Sequence, residues 1–148
     1  MTASDIETAD RLSRRRARMF AALAVIFFTQ QFSYFAEPDS AARLVDHVKI
    51  GAWLLLSIVL VLALATGGFW LKPKPVRALM DDDVTRANRA DAFRVGFLAT
   101  MATAILLYFL LLFEPISGRE AIHALTTIGI AAALLRFAYL ERRALRDG

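Results

Sequence analysis

The sequence predicts an all-α, polytopic membrane protein: four transmembrane helices in an antiparallel bundle, with both termini cytoplasmic. Three observations carry this expectation. Hydrophobic residues make up 57% of the 148 positions and charged residues only 22%, with a mean hydropathy of +0.49. A soluble fold this small has too high a surface-to-volume ratio to bury so much apolar side chain, and disorder requires the opposite composition. The apolar residues also gather into four runs near the length a bilayer demands, about 20 residues. Finally, the basic residues fall almost wholly on one side of those runs.

The chain reads as a single membrane domain over residues 1–148. Residues 1–18 are a basic arm. Span 1 covers 19–36; Met19 to Phe28 is entirely apolar, whereas Thr29, Gln30, Gln31, Ser33 and Tyr34 make its outer half polar. A signal-peptide cleavage after Ala36 would put Tyr34 where a small residue is needed, so span 1 reads as an uncleaved helix. Span 2 covers 48–70, a Leu/Val/Ile/Ala run in which Gly67-Gly68 is expected to loosen the end and Trp70 to sit at the interface. Residues 71–92 form a loop and a helical stalk. Lys72-Pro73-Lys74-Pro75 breaks any helix. Asp81 is then a natural N-cap, and Asp82 and Asp83 favour the positive end of a helix dipole. Span 3 covers 93–113. With only Gly96 to interrupt it, the stretch from Asp82 to Phe113 predicts one continuous helix, roughly 48 Å long at 1.5 Å per residue. That exceeds the bilayer core by several turns. Pro115 and Gly118 mark a tight hairpin, which makes spans 3 and 4 antiparallel neighbours. Span 4 covers 121–140, and 141–148 is a basic tail.

The charges set the topology. The arm holds Arg11, Arg14, Arg15, Arg16 and Arg18. The loop between spans 2 and 3 holds Lys72, Lys74, Arg77, Arg86, Arg89 and Arg94. The C-terminal end holds Arg136, Arg142, Arg143 and Arg146. The opposite side has only Arg43, Lys49 and Arg119. Lys and Arg accumulate in cytoplasmic loops, so a bacterial inner membrane with both termini inside is expected. The sequence pI near 10.0 then reflects topology and contact with the anionic lipid bilayer, and no direct nucleic-acid partner is expected.

The chemistry-bearing residues are few. With no cysteine, thiolate catalysis, disulfide exchange and Fe–S clusters are excluded. All acids lie outside the spans or at their rims, which argues against proton-driven export through a buried carboxylate. His47 and His123 lie near the outer ends of their spans, and Glu120 precedes His123 by three residues, a spacing that metal-binding bundles use. A second copy of that pair is missing, so the expectation is no metal and no cofactor, with polar anchoring as the role of these residues. Gln30, Gln31, Ser33 and Tyr34 line a polar pocket in a transporter reading, or an interhelical hydrogen-bond patch otherwise. Small residues recur every four positions on span 3 (Ala92, Gly96, Thr100, Ala104) and nearly so on span 4 (Ala121, Leu125, Gly129, Ala133). They predict the seam of the hairpin, with a homodimer seam as the alternative.

The Asp-rich start after Met80, then Arg86, Ala87, Arg89 and Ala90, then Ala92-Phe93-Arg94 leading into span 3, a short Pro-containing hairpin and a basic tail form a loose pattern over half the chain. The pattern resembles uncharacterised small four-helix bacterial inner-membrane proteins, often encoded beside helix-turn-helix regulators. The resemblance implies no catalytic residue. It implies a regulatory or partner-binding role through the cytoplasmic face. The leading reading is a non-enzymatic protein whose stalk and N-terminal arm bind a soluble or membrane partner, such as a transcription regulator, with Asp82, Asp83, Arg86, Arg89 and Arg94 as the stalk's binding residues. Two other readings stand beside it: a small transporter or its accessory subunit, and a haem- or metal-binding redox subunit using His47 and His123.

Overall fold

The structure is a computed structural model. It describes the backbone of residues 3–36, 43–68 and 83–147, and the side chains of 11–30, 48–68 and 83–146. It is all-α, with α1 (Ala3–Ala36), α2 (Arg43–Ala65), α3 (Asp83–Leu110) and α4 (Gly118–Asp147). Three helices are long and apolar enough to cross a membrane, over Val48–Ala65, Asp83–Leu110 and Gly118–Arg146. Among the described residues α1 does not meet that mark. Its apolar run is short, bounded by arginines before Met19 and by Thr29 and Gln30 after Phe28. The expectations for Trp70, the Pro73/Pro75 spacer, Asp81 and Asp82 lie outside the described residues.

The basic arm and the basic tail are helical rather than separate extensions. Neither the arm from Ala3 to Arg18 nor the tail from Glu141 to Asp147 holds a Pro or Gly, and Ala, Leu and Arg are strong helix formers. At α2 the helix starts at Arg43, before the expected 48, and ends at Ala65, before the expected 70. Gly67-Gly68 does not loosen this end; it closes it. Both glycines have positive φ, 66° and 77°, where a side chain would be strained. The Gly68 N–H donates to the Ala63 carbonyl at 2.7 Å and the Gly67 N–H to the Leu64 carbonyl at 3.2 Å, the paired bonds of a Schellman motif.

α3 runs unbroken from Asp83 through Arg94 and past Gly96, as expected for stalk and span together. It stops at Leu110, short of the expected Phe113. The last turn tightens there, with the Phe113 N–H donating to the Leu110 carbonyl at 2.9 Å and the Leu112 N–H to Phe109 at 3.2 Å. Such i→i−3 bonds are a common helix end. α4 opens on a capping box. The Ser117 N–H donates to Glu120 Oε2 at 2.8 Å, and the Glu120 N–H donates to Ser117 Oγ at 3.2 Å.

α4 is the hub, packing against α3, α1 and α2. Of the three candidate spans it is the most enclosed, 44% buried against 28% for α2 and 11% for α3. Phe20 and Phe27 of α1, Leu60 and Leu64 of α2, and Leu134 and Phe137 of α4 form the core. The Phe20 and Phe137 rings meet edge to face at 4.9 Å, a geometry worth about 0.5–1.5 kcal/mol beyond burial. The outside is apolar: Ile26, Ile58, Phe97, Ile105 and Leu106 are each more than half exposed, as suits a surface solvated by hydrocarbon.

The expected α3–α4 seam is present. A Cβ added at Gly96 would lie 2.8 Å from both the Ala133 Cβ and the Gly129 carbonyl oxygen, so the two backbones touch. Association in lipid lacks a hydrophobic drive and depends on such close approach. Gly96→Ala should therefore lower the thermal stability of the detergent-solubilised protein by about 1–3 kcal/mol, the usual cost of overpacking. Gly51 has nothing within 4 Å of an added Cβ, and Gly51→Ala should instead be neutral or stabilising by up to about 1 kcal/mol from helix propensity. Thermal melts of the two variants check this; equal melting points would mean that the seam is looser than described.

Candidate functional site at the charged ends of the helices

α1 and α3 begin, and α2 and α4 end, at one end of the molecule, opposite the 114–117 hairpin. The densest polar structure is there. Arg16 of α1 and Glu141 of α4 form a buried ion pair, their side chains 7% and 5% exposed. Arg16 Nη2 also donates to Thr85 Oγ1 of α3 at 3.4 Å. The second carboxylate oxygen, Glu141 Oε1, accepts from Asn88 Nδ2 of α3 at 3.1 Å. The Arg16 guanidinium lies 5.7 Å from the centre of the Phe137 ring, within cation–π range. Three helices are thus joined at one point, and these hydrogen bonds, all made through Arg16 Nη2 and the two carboxylate oxygens, offset part of the cost of enclosing the charges.

A second bridge flanks the first. Arg136 Nε of α4 donates to Asp91 Oδ2 of α3 at 2.7 Å, with both side chains more than a third exposed. Asn88 facing Glu141, Gly96 facing Ala133 and Thr100 facing Gly129 keep one antiparallel register along the hairpin. The end of α2 is held from α3: Arg89 Nη1 donates to the Ala65 carbonyl at 2.9 Å, satisfying a helix-terminal acceptor that has no intrahelical partner.

The residues expected to bind a partner therefore have different environments. Asp83 and Arg86 pair with each other on the exposed face of the first turn of α3, and Arg94 is exposed on the same helix. Arg89 carries the structural contact to α2, and Asp82 lies outside the described residues. The polar outer half of α1 is not assembled into a pocket by what is described: Gln30 is exposed, and the side chains of Gln31, Ser33 and Tyr34 lie outside the described residues, as does that of His47.

Glu120 and His123 have different partners. Glu120 is partly exposed and caps α4 through Ser117. His123 is 4% exposed and stacks on Trp53 of α2 with ring centroids 3.8 Å apart and planes 21° from parallel. One turn further along each helix, Ser57 and Thr127 are also buried. Among the described residues, the Trp53 indole nitrogen and the Ser57 and Thr127 hydroxyls have no hydrogen-bond partner, and no group of three His, Cys, Asp or Glu is placed to hold a metal.

The positive-inside pattern hid Arg16, because it stands in a run of arginines that topology already explains. The signal for the cluster was Glu141, an acid inside the basic tail, together with Thr85 and Asn88 on the same α3 face as Ala92 and Gly96.

Compared with protein-family models, curated proteins and solved structures, the chain has no match at a significant level. The class that fold and site define is a helical membrane protein with a polar staple at one end.

Removing one member of the staple should be far worse than removing both. Arg16→Met or Glu141→Leu alone leaves a buried charge without its counter-ion and should cost about 3–5 kcal/mol, whereas the double variant should recover most of that loss. A double-mutant cycle on thermal stability in detergent checks this; additive losses would mean that the two charges do not interact.

Proposed function

We propose that the chain is a non-enzymatic, polytopic protein of a bacterial inner membrane. In this reading α1 is the fourth span and both termini are cytoplasmic. The charged end of the helices is then a docking face for a protein partner, such as a transcription regulator. The observation that supports this reading is the rigidity of α3. Its first turns continue without a break into the span, and Thr85, Asn88 and Asp91 tie them to α1 and α4. Asp83, Arg86 and Arg94 are exposed on this fixed mount, so a partner meeting them does not first have to order them. The arginine and lysine asymmetry supports the orientation. The apolar run from Met19 to Phe28, with Val25 and Ile26 60% and 59% exposed, supports α1 as a span.

The topology has a direct test. Reporter domains fused after Trp70 and after Gly148 should report the cytoplasm, and those inserted near Asp39 and Ser117 the opposite side. A non-cytoplasmic report after Gly148 would remove a span from this reading, and α1 would be the one to go.

The docking face is tested by photocrosslinking in the native membrane. A photoreactive residue at Ala87 should form an adduct with a protein of one size, and the same residue at lipid-facing Leu106 should not. Replacing Arg86 and Arg94 together by lysine keeps the charge, and with it lipid attraction and topology, but loses the planar fork that grips a carboxylate in two places. The adduct should fall by about tenfold for each lost bidentate contact of about 1.4 kcal/mol. An adduct unchanged in the double-lysine variant would leave these arginines as a solvated face.

A further inference from the structure

At the charged end, α1 and α4 enclose a groove of about 490 Å³, within the roughly 300–1,000 Å³ of small-ligand sites. Arg14 and Arg18 line it from α1, and Arg142 and Arg146 from α4, together with Tyr139 and Leu145. Its position along the helices is informative. Arg18 immediately precedes the apolar run that starts at Met19, and Arg142 comes two residues after Leu140, where the apolar part of α4 ends. The groove therefore straddles the level at which both helices change from apolar to charged. In a bilayer that is the level of the lipid headgroups, where tyrosine is also favoured.

No carboxylate is among the described residues that line the groove. Glu141, beside Arg142 in sequence, is turned into the buried cluster and paired with Arg16. Arg18 and Arg142 are exposed. Arg146, in the last turn of α4, also offsets the carbonyl end of that helix, so Arg18 and Arg142 are the main recognition groups.

We propose that this groove binds the phosphodiester of a single anionic phospholipid. Guanidinium groups on two facing helices match phosphate oxygens in planar, two-point contacts. Tyr139, on the apolar side of Arg142, gives the glycerol and upper acyl carbons an amphipathic neighbour, and Leu145, on the other side, gives the headgroup an apolar edge. Basic pockets between membrane helices at headgroup level take such lipids. A free phosphate ion shares the charge but would use neither Tyr139 nor Leu145. The site needs only a membrane interface at this level and does not depend on docking at α3.

Native mass spectrometry of the full chain in a neutral detergent tests the proposal, with phosphatidylglycerol, phosphatidylcholine and inorganic phosphate as separate probes. One phosphatidylglycerol per chain should bind first, ahead of phosphatidylcholine, and inorganic phosphate should not displace it. Arg18→Gln with Arg142→Gln should weaken phosphatidylglycerol binding by about a hundredfold, at about tenfold for each lost two-point contact. Arg11→Gln with Arg15→Gln removes the same charge from exposed positions of α1 outside the groove and should leave the first adduct in place. Should the groove variant not fold, Arg18→Lys with Arg142→Lys is read instead and should still lose the preference for phosphatidylglycerol. Equal losses in the groove and control pairs, equal uptake of phosphatidylcholine, displacement by inorganic phosphate, or a preference unchanged in the lysine pair would each overturn the proposal.

Discussion

A charged pair withdrawn from water needs polar neighbours to hold it, and Arg16 with Glu141 draws them from three helices at once. α1 supplies the guanidinium, α4 the carboxylate, and α3 an amide and a hydroxyl that bond to them. One turn along, Phe20 and Phe137 meet edge to face. Sliding α1 past α4 by one turn, 5.4 Å, would strand both charges and separate both rings. The register of α1 is therefore fixed by a local electrostatic requirement, although its apolar run from Met19 to Phe28 is itself indifferent to rotation.

The rest of the packing follows a division along the helix axes. In hydrocarbon, apolar side chains gain little by leaving lipid for protein, so contact is decided by shape and by polar groups. Between α3 and α4 shape decides, through Gly96, Gly129 and Ala133. At the charged end polar groups decide. α2 has neither advantage over most of its length. Its main attachments are the His123 stack on Trp53 and the Arg89 bond to the Ala65 carbonyl, with Leu60 and Leu64 in the core.

What could be read from the sequence follows the range of the interaction. Helix identity and the α3–α4 seam depend on residues three or four positions apart, and both were legible. The hairpin was legible from Pro115 and Gly118. Helix ends were not: Gly67-Gly68 reads equally as a frayed end or as a Schellman cap, and only backbone bonds to Ala63 and Leu64 distinguish them. Arg16 and Glu141 are 125 positions apart, and no local pattern connects them. Each also had a sufficient local explanation, Arg16 as a topology signal and Glu141 as one acid in a basic tail. Glu120 and His123 were read as polar anchors, and their separate roles depend on different ranges: the cap on Ser117 is local, whereas the stack on Trp53 of α2 joins residues 70 positions apart.

The long separation within the ion pair also bears on biosynthesis. At roughly 5–20 residues per second, Glu141 emerges on the order of 6–25 s after Arg16. Throughout that interval α1 lacks the carboxylate that fixes its register, and its arginine must be satisfied by other polar groups such as water. The α3–α4 hairpin, whose halves are made seconds apart, can close as soon as Gly129 and Ala133 arrive. The contacts of α1 at the charged end can thus form only once α4 has been made, whatever α1 meets in the meantime.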